Sequence, residues 1–221
     1  MNSGQRHPFW GSLSPLGGLA GGGLLIMASA RLSWAVTVAG SLLWVYGLSA
    51  FVYAILSSSI CKKFFPAGGR QAIYTCLASF FGAVYLLLCW LLCPFAAFEV
   101  FFLLLLVPLF CAGSGTFKRI MSSSKTPRSD VEDYAMEAVS EAVVLAILLV
   151  AVSIVREPLS YCSLSFPGTP RGMVTIMYFR AGSLFPIGLF VSSAGALLLL
   201  GYLIALYQYS KNSFFPKEAD K

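Results

Sequence analysis

Charge is the scarcest commodity in this chain. Charged residues are 11% of the 221, with nine acidic side chains and one histidine. A soluble domain carries roughly a quarter, so the shortfall argues against an aqueous fold. The lone histidine, His7, stands in a polar tail, which excludes a His-rich metal site and any Ser-His-Asp arrangement. No Gly-rich phosphate loop and no carboxylate cluster in a soluble domain is written here. The six cysteines, at positions 61, 76, 89, 93, 111 and 162, form no CxxC pair, which excludes a soluble zinc site or a secreted disulfide framework. Cys89 and Cys93 stand one helical turn apart and read as small apolar packing residues.

What is present is apolar: 58% hydrophobic residues and a mean hydropathy of +0.81. Backbone groups have no water to pair with in lipid, so continuous apolar runs such as Val100 to Val107 must be helical. Roughly 20 such residues cross the hydrocarbon. Six spans are expected: Leu16–Ala30, Ser33–Ile60, Ala72–Cys93, Ala97–Gly115, Tyr134–Val155 and Leu184–Tyr209. The long connections are Lys118–Asp133 and Arg156–Arg180. The fold class is therefore an all-α integral membrane protein. Its organisation is a polar tail (1–15), a single membrane domain (16–210, halves 16–94 and 97–210) and a second tail (211–221). The N-terminus lacks the pattern of a cleavable signal.

Basic residues distribute unevenly about these spans. Eleven fall on one side, among them Lys62, Lys63, Arg70, Lys118 and Arg119; four, Arg31, Arg156, Arg171 and Arg180, fall on the other. The positive-inside rule then places both termini in the cytoplasm. It also accounts for the net charge of +6 without nucleic acid. Glycines cluster in the first span (Gly21, Gly22, Gly23) and at the end of the fourth (Gly113, Gly115). They read either as the broken helices of a three-plus-three inverted repeat or as sites of close helix packing.

The loop Lys62-Lys63-Phe64-Phe65-Pro66, with Arg70 and Tyr74 following, resembles the basic-aromatic loop of a known family. The fourth-span end around Cys111-Ala112-Gly113-Ser114-Gly115, the Arg156-Glu157-Pro158-Leu159 segment and the last span from Ser193 to Leu206 resemble it too. That family comprises the membrane subunits of Rnf electron-transport complexes and sodium-translocating NADH:quinone reductases, and the likeness runs from about Leu32 to Tyr207. The resemblance implies a subunit of a bacterial inner-membrane, ion-translocating redox complex with no nucleotide site of its own. Its partners would be a homologous membrane subunit of opposite topology and flavin-bearing and iron–sulfur subunits. It also implies a [2Fe–2S] cluster shared between the paired subunits, with Cys111 as cofactor and metal ligand. The chain departs from the family in the first span, where Gly22-Gly23-Leu24-Leu25-Ile26 holds no cysteine, and at Phe110, which replaces an asparagine.

Ionisable residues inside spans are functional candidates. Glu137 and Glu141 share one helical face; they form either an ion path or an interfacial face in water. Arg156 and Glu157 are expected where the fifth helix ends, as a partner contact or an interfacial anchor, with Pro158 stopping the helix. Glu99 is expected at the head of the fourth span, where a carboxylate favours the positive helix end. A small secondary transporter built around Glu137 and Glu141, or a cofactor-less scaffold subunit, are the competing functions.

Overall fold

Long unbroken apolar runs make α-helices here, and the computed structural model contains six among its described residues, which are 29–57, 67–113, 128–168, 174–178 and 188–214. In chain order they are α1 (Leu32–Ser57), α2 (Ala67–Leu92), α3 (Pro94–Glu99), α4 (Phe101–Gly113), α5 (Arg128–Tyr161) and α6 (Ser193–Phe214). Two strands, β1 (Ser163–Phe166) and β2 (Val174–Tyr178), and a 3₁₀ helix (Gly188–Val191) separate α5 from α6. Three stretches are long and apolar enough to cross a membrane: Leu32–Val52 in α1, Ala72–Leu92 in α2 and Ala138–Tyr161 in α5. Shorter apolar stretches occupy α4 (Phe101–Cys111) and α6 (Ser193–Leu203). The expected first span, its glycine cluster, the Lys62–Pro66 loop, His7 and both tails lie outside the described residues, save Ser29, Ala30 and residues 211–214, where α6 continues into the expected second tail.

The core is an α1–α5 seam with α2 and α4 closing over it. The buried side chains include Ala35, Val38, Ala39, Leu42, Val45, Tyr46, Ser49 and Ala50 on α1, with Ser33, Thr37 and Ser41 beside them; on α5 they include Ala138, Glu141, Ala142, Leu145, Ala146, Leu149, Val152, Ser153 and Arg156. Both sets follow the three-four spacing of one helical face. The small residues let the backbones approach closely, which supplies contact where lipid offers no hydrophobic drive. Elsewhere the helices carry apolar but exposed side chains, such as Phe51 of α1, Phe80 and Leu91 of α2, Phe102 of α4 and Ile147 of α5. That is the distribution of a helix bundle whose outer surface meets lipid.

Several boundaries differ from expectation, beginning with α5, which starts at Arg128 inside the segment expected as a connection. Pro94 opens a short helix at its first position, where the missing amide costs nothing. The break in the fourth span falls at Val100, between α3 and α4, upstream of the glycines. The fifth helix does not stop at Pro158. It contains that proline and continues to Tyr161, because its charged pair finds partners inside the fold. Cys162 then turns the chain with a φ of 51° into β1. The connection after it, expected as a loop, holds the antiparallel β1–β2 pair, in register Ser163↔Tyr178, Leu164↔Met177, Ser165↔Thr175 and Phe166↔Val174 with a bulge between.

Candidate functional site

Two polar groupings interrupt this apolar bundle. The first is assembled from four helices, each contributing one side chain: Ser49 of α1, Tyr74 of α2, Cys111 of α4 and Glu141 of α5. The Tyr74 hydroxyl and the Cys111 thiol are hydrogen-bonded at 3.2 Å. Ser49 Oγ lies 3.3 Å from Tyr74 Oη and 3.8 Å from Cys111 Sγ. Its own proton is within reach of the Val45 carbonyl one turn back. Glu141 is only 5% exposed and stands within electrostatic reach of both Tyr74 and Cys111. A phenol, a thiol and a hydroxyl from three helices thus meet in the interior, and the Glu141 carboxyl is buried on a fourth.

Glu141 is buried inside the bundle. Glu137 lies one turn earlier on α5, and its side chain falls outside the described set. Glu99 closes α3 immediately ahead of α4 and accepts a hydrogen bond from Trp34 Nε1 at 2.5 Å. Sequence reasoning brought forward Cys111 and Glu141 for unrelated reasons, and the fold buries both in one core. It missed Ser49 altogether, because a serine among the apolar residues of α1 carries no pattern of its own.

A [2Fe–2S] centre needs four ligands. The Cys111 thiol is fully buried within this chain's own core, turned to Tyr74 and Ser49 and not to an outer surface where a sister subunit could meet it. Among the described residues no three His, Cys, Asp or Glu side chains converge. No electron-transfer step is assigned through a cluster.

The second grouping is centred on Arg156 and Glu157, each about 1% exposed. Consecutive helical residues diverge in direction, so the two serve different neighbours. Arg156 Nε donates to the Phe190 carbonyl at 2.7 Å, and Nη2 donates to the Val191 and Ser192 carbonyls at 3.0 Å each. Nη1 donates to the Ser29 carbonyl at 3.1 Å. The planar guanidinium therefore holds the carbonyl-rich break between the 3₁₀ helix and α6. Glu157 does the converse for backbone amides: Oε2 accepts from Leu32 N at 2.8 Å and Oε1 from Ser165 N at 3.0 Å. The first places a carboxylate at the positive end of α1. Arg156, counted above as a loop charge, is a side chain of the helix interior. The groups expected to face a partner are taken up by this chain.

Beside this knot, Arg31 lies over the rings of Trp34 (5.7 Å) and Tyr161 (5.0 Å). Ser165 Oγ reaches Ser33 Oγ at 3.3 Å. The class of protein these features define is a helical membrane protein with a four-helix polar cluster and a charged knot stapling its helix ends. No protein-family profile matches the chain, and no curated protein is similar to it.

Proposed function

We propose that the chain is a membrane subunit of an ion-translocating electron-transport complex. Within it the Ser49–Tyr74–Cys111–Glu141 cluster handles the translocated cation, H⁺ or Na⁺. The observation that carries this reading is the burial of Glu141 in the apolar bundle, whose interior also holds the hydrogen-bonded Ser49, Tyr74 and Cys111. A carboxyl inside an apolar bundle is expensive, and such residues mark ion and proton pathways. Hydroxyl and carboxyl oxygens are suited to hard cations, and the same groups can pass a proton. The order of sequence landmarks from Leu32 to Tyr207 supports the electron-transport setting.

The test is purification of the tagged chain from native membranes. The expected result is a complex with a homologous subunit of opposite topology and with flavin-bearing and iron–sulfur subunits. In that complex, Glu141→Gln should abolish the ion gradient while electron transfer persists. Isolation of the chain alone, active in substrate uptake into vesicles, would replace this reading with that of a small secondary transporter.

A further inference from the structure

The β1–β2 hairpin is built inside out. In a half-solvated antiparallel pair the apolar side chains turn to the core and the polar ones to water. Here a polar side chain, Ser165, is the least exposed, although Tyr178, paired with Ser163 on the same face, is 81% exposed and Leu164 on the other face is half-buried. Ser165 is 5% exposed, with its amide on Glu157 and its hydroxyl on Ser33, and its cross-strand partner Thr175 is half-buried. The other face pairs Leu164 with Met177 and Phe166 with Val174. Phe166, Val174 and Met177 on that face are 44, 54 and 59% exposed, and Ile176 at the bulge is 56% exposed. A face this apolar requires an apolar surrounding.

Position says which surrounding that is. The apolar stretch of α5 ends at Tyr161, two residues before β1 begins. The apolar stretch of α1 begins at Leu32, whose amide shares the Glu157 carboxylate with β1. Both stretches thus reach their boundary where the hairpin is fastened. Arg31 between Trp34 and Tyr161 supplies the aromatic and basic pairing of a membrane interface. From this geometry we infer that the hairpin is an interfacial element whose Leu164–Phe166–Val174–Met177 face dips into the headgroup and upper acyl region of the bilayer. Polar contacts on its inner face keep it on the bundle. Burial at this level reaches about 5–10 Å below the headgroups.

The inference is independent of the ion-translocating role. It is tested with the full chain carrying Val174→Trp, reconstituted in phosphatidylcholine vesicles with bromines near the headgroup end or near the methyl end of the acyl chains. The readout is the emission added over the parent protein. Lipid bearing shallow bromines should remove most of that added emission, and deep bromines or aqueous iodide little of it. Thr175→Trp, on the inner face, should respond weakly to all three. Met177→Trp repeats the reading on the outer face should the first variant fail to fold. Quenching at the outer positions by iodide would overturn the inference, since that face would then lie in water. Shielding from iodide and from both lipids would overturn it equally, because another protein would then cover the face.

Discussion

The Glu157 carboxylate accepts the backbone amide of Leu32 at 2.8 Å across 125 positions of sequence. A helix is thereby capped by a residue from another helix. Arg31 O already accepts from Ala35 N in the first turn, and Leu32 N is one of the amides such a turn leaves over. A charged acceptor answers it. The adjoining Arg156 answers surplus carbonyls at Phe190, Val191 and Ser192. Two consecutive residues of α5 thus fasten the ends of three elements.

Removing that carboxylate leaves two buried donors, on Leu32 and Ser165. Hydrogen bonds to charged groups contribute about 1.5–3 kcal/mol each. Glu157→Ala should therefore destabilise the protein by about 3 kcal/mol in detergent denaturation, with Glu157→Gln intermediate because it keeps one carbonyl acceptor. An unchanged unfolding midpoint in Glu157→Ala would show that the cap contributes nothing.

Arg156→Lys keeps the charge and loses the planar fork. A single ammonium cannot meet four carbonyls in the same geometry. Amide exchange over the 3₁₀ helix and the first turn of α6 should rise in this variant, while exchange in α2 stays as in the parent. Equal protection in both would argue that the guanidinium is a bystander.

Gly195 lies against the 3₁₀ helix so closely that a Cβ would strike the Leu189 carbonyl and the Phe190 Cα. These are backbone atoms and cannot swing away. Its amide also meets Ser192 Oγ at 3.3 Å, the serine capping α6. Gly195→Ala should lower stability by about 1–3 kcal/mol through overpacking. Gly201→Ala, where nothing stands within 4 Å, should be neutral or gain up to about 1 kcal/mol from helix propensity. Thermal melts of the two variants distinguish these outcomes.

A membrane-permeant maleimide should label Cys76 in the folded protein and Cys111 only after unfolding, since Cys76 is exposed and Cys111 buried. Mass spectrometry of digests reads the order. Early labelling of Cys111 would mean that the four-helix cluster opens readily.

Cys162 adopts the left-handed conformation that glycine takes without penalty. Cys162→Gly should stabilise the protein by about 1 kcal/mol. A fall in the melting temperature would show that the thiol makes contacts outweighing the backbone strain.

The helices were legible because apolar runs of bilayer length admit no other structure. The α2 stretch Ala72–Leu92 agrees with the expected Ala72–Cys93 nearly residue for residue. The end of α5 was misread for a physical reason as well. Arg156, Glu157 and Pro158 together look like an exit into water, and they form a helix interior only because carbonyls and amides distant in sequence meet the two charges. The candidate site was half legible. Cys111 and Glu141 stand out as rare residue types within apolar spans, whereas Ser49 does not.

Residue types and run lengths alone determined that this protein belongs to the membrane and that its chain is helical there, since an unpaired backbone is intolerable in hydrocarbon. Which faces meet was decided only by tertiary packing. A helix apolar on every side, such as α1, offers no periodic signal that separates Ser49 and Tyr46 in the core from Phe51 on the surface. The meeting of Cys111 with Tyr74, the burial of Glu141, the internal use of Arg156 and Glu157, and the outward apolar face of the hairpin all follow from that choice of faces.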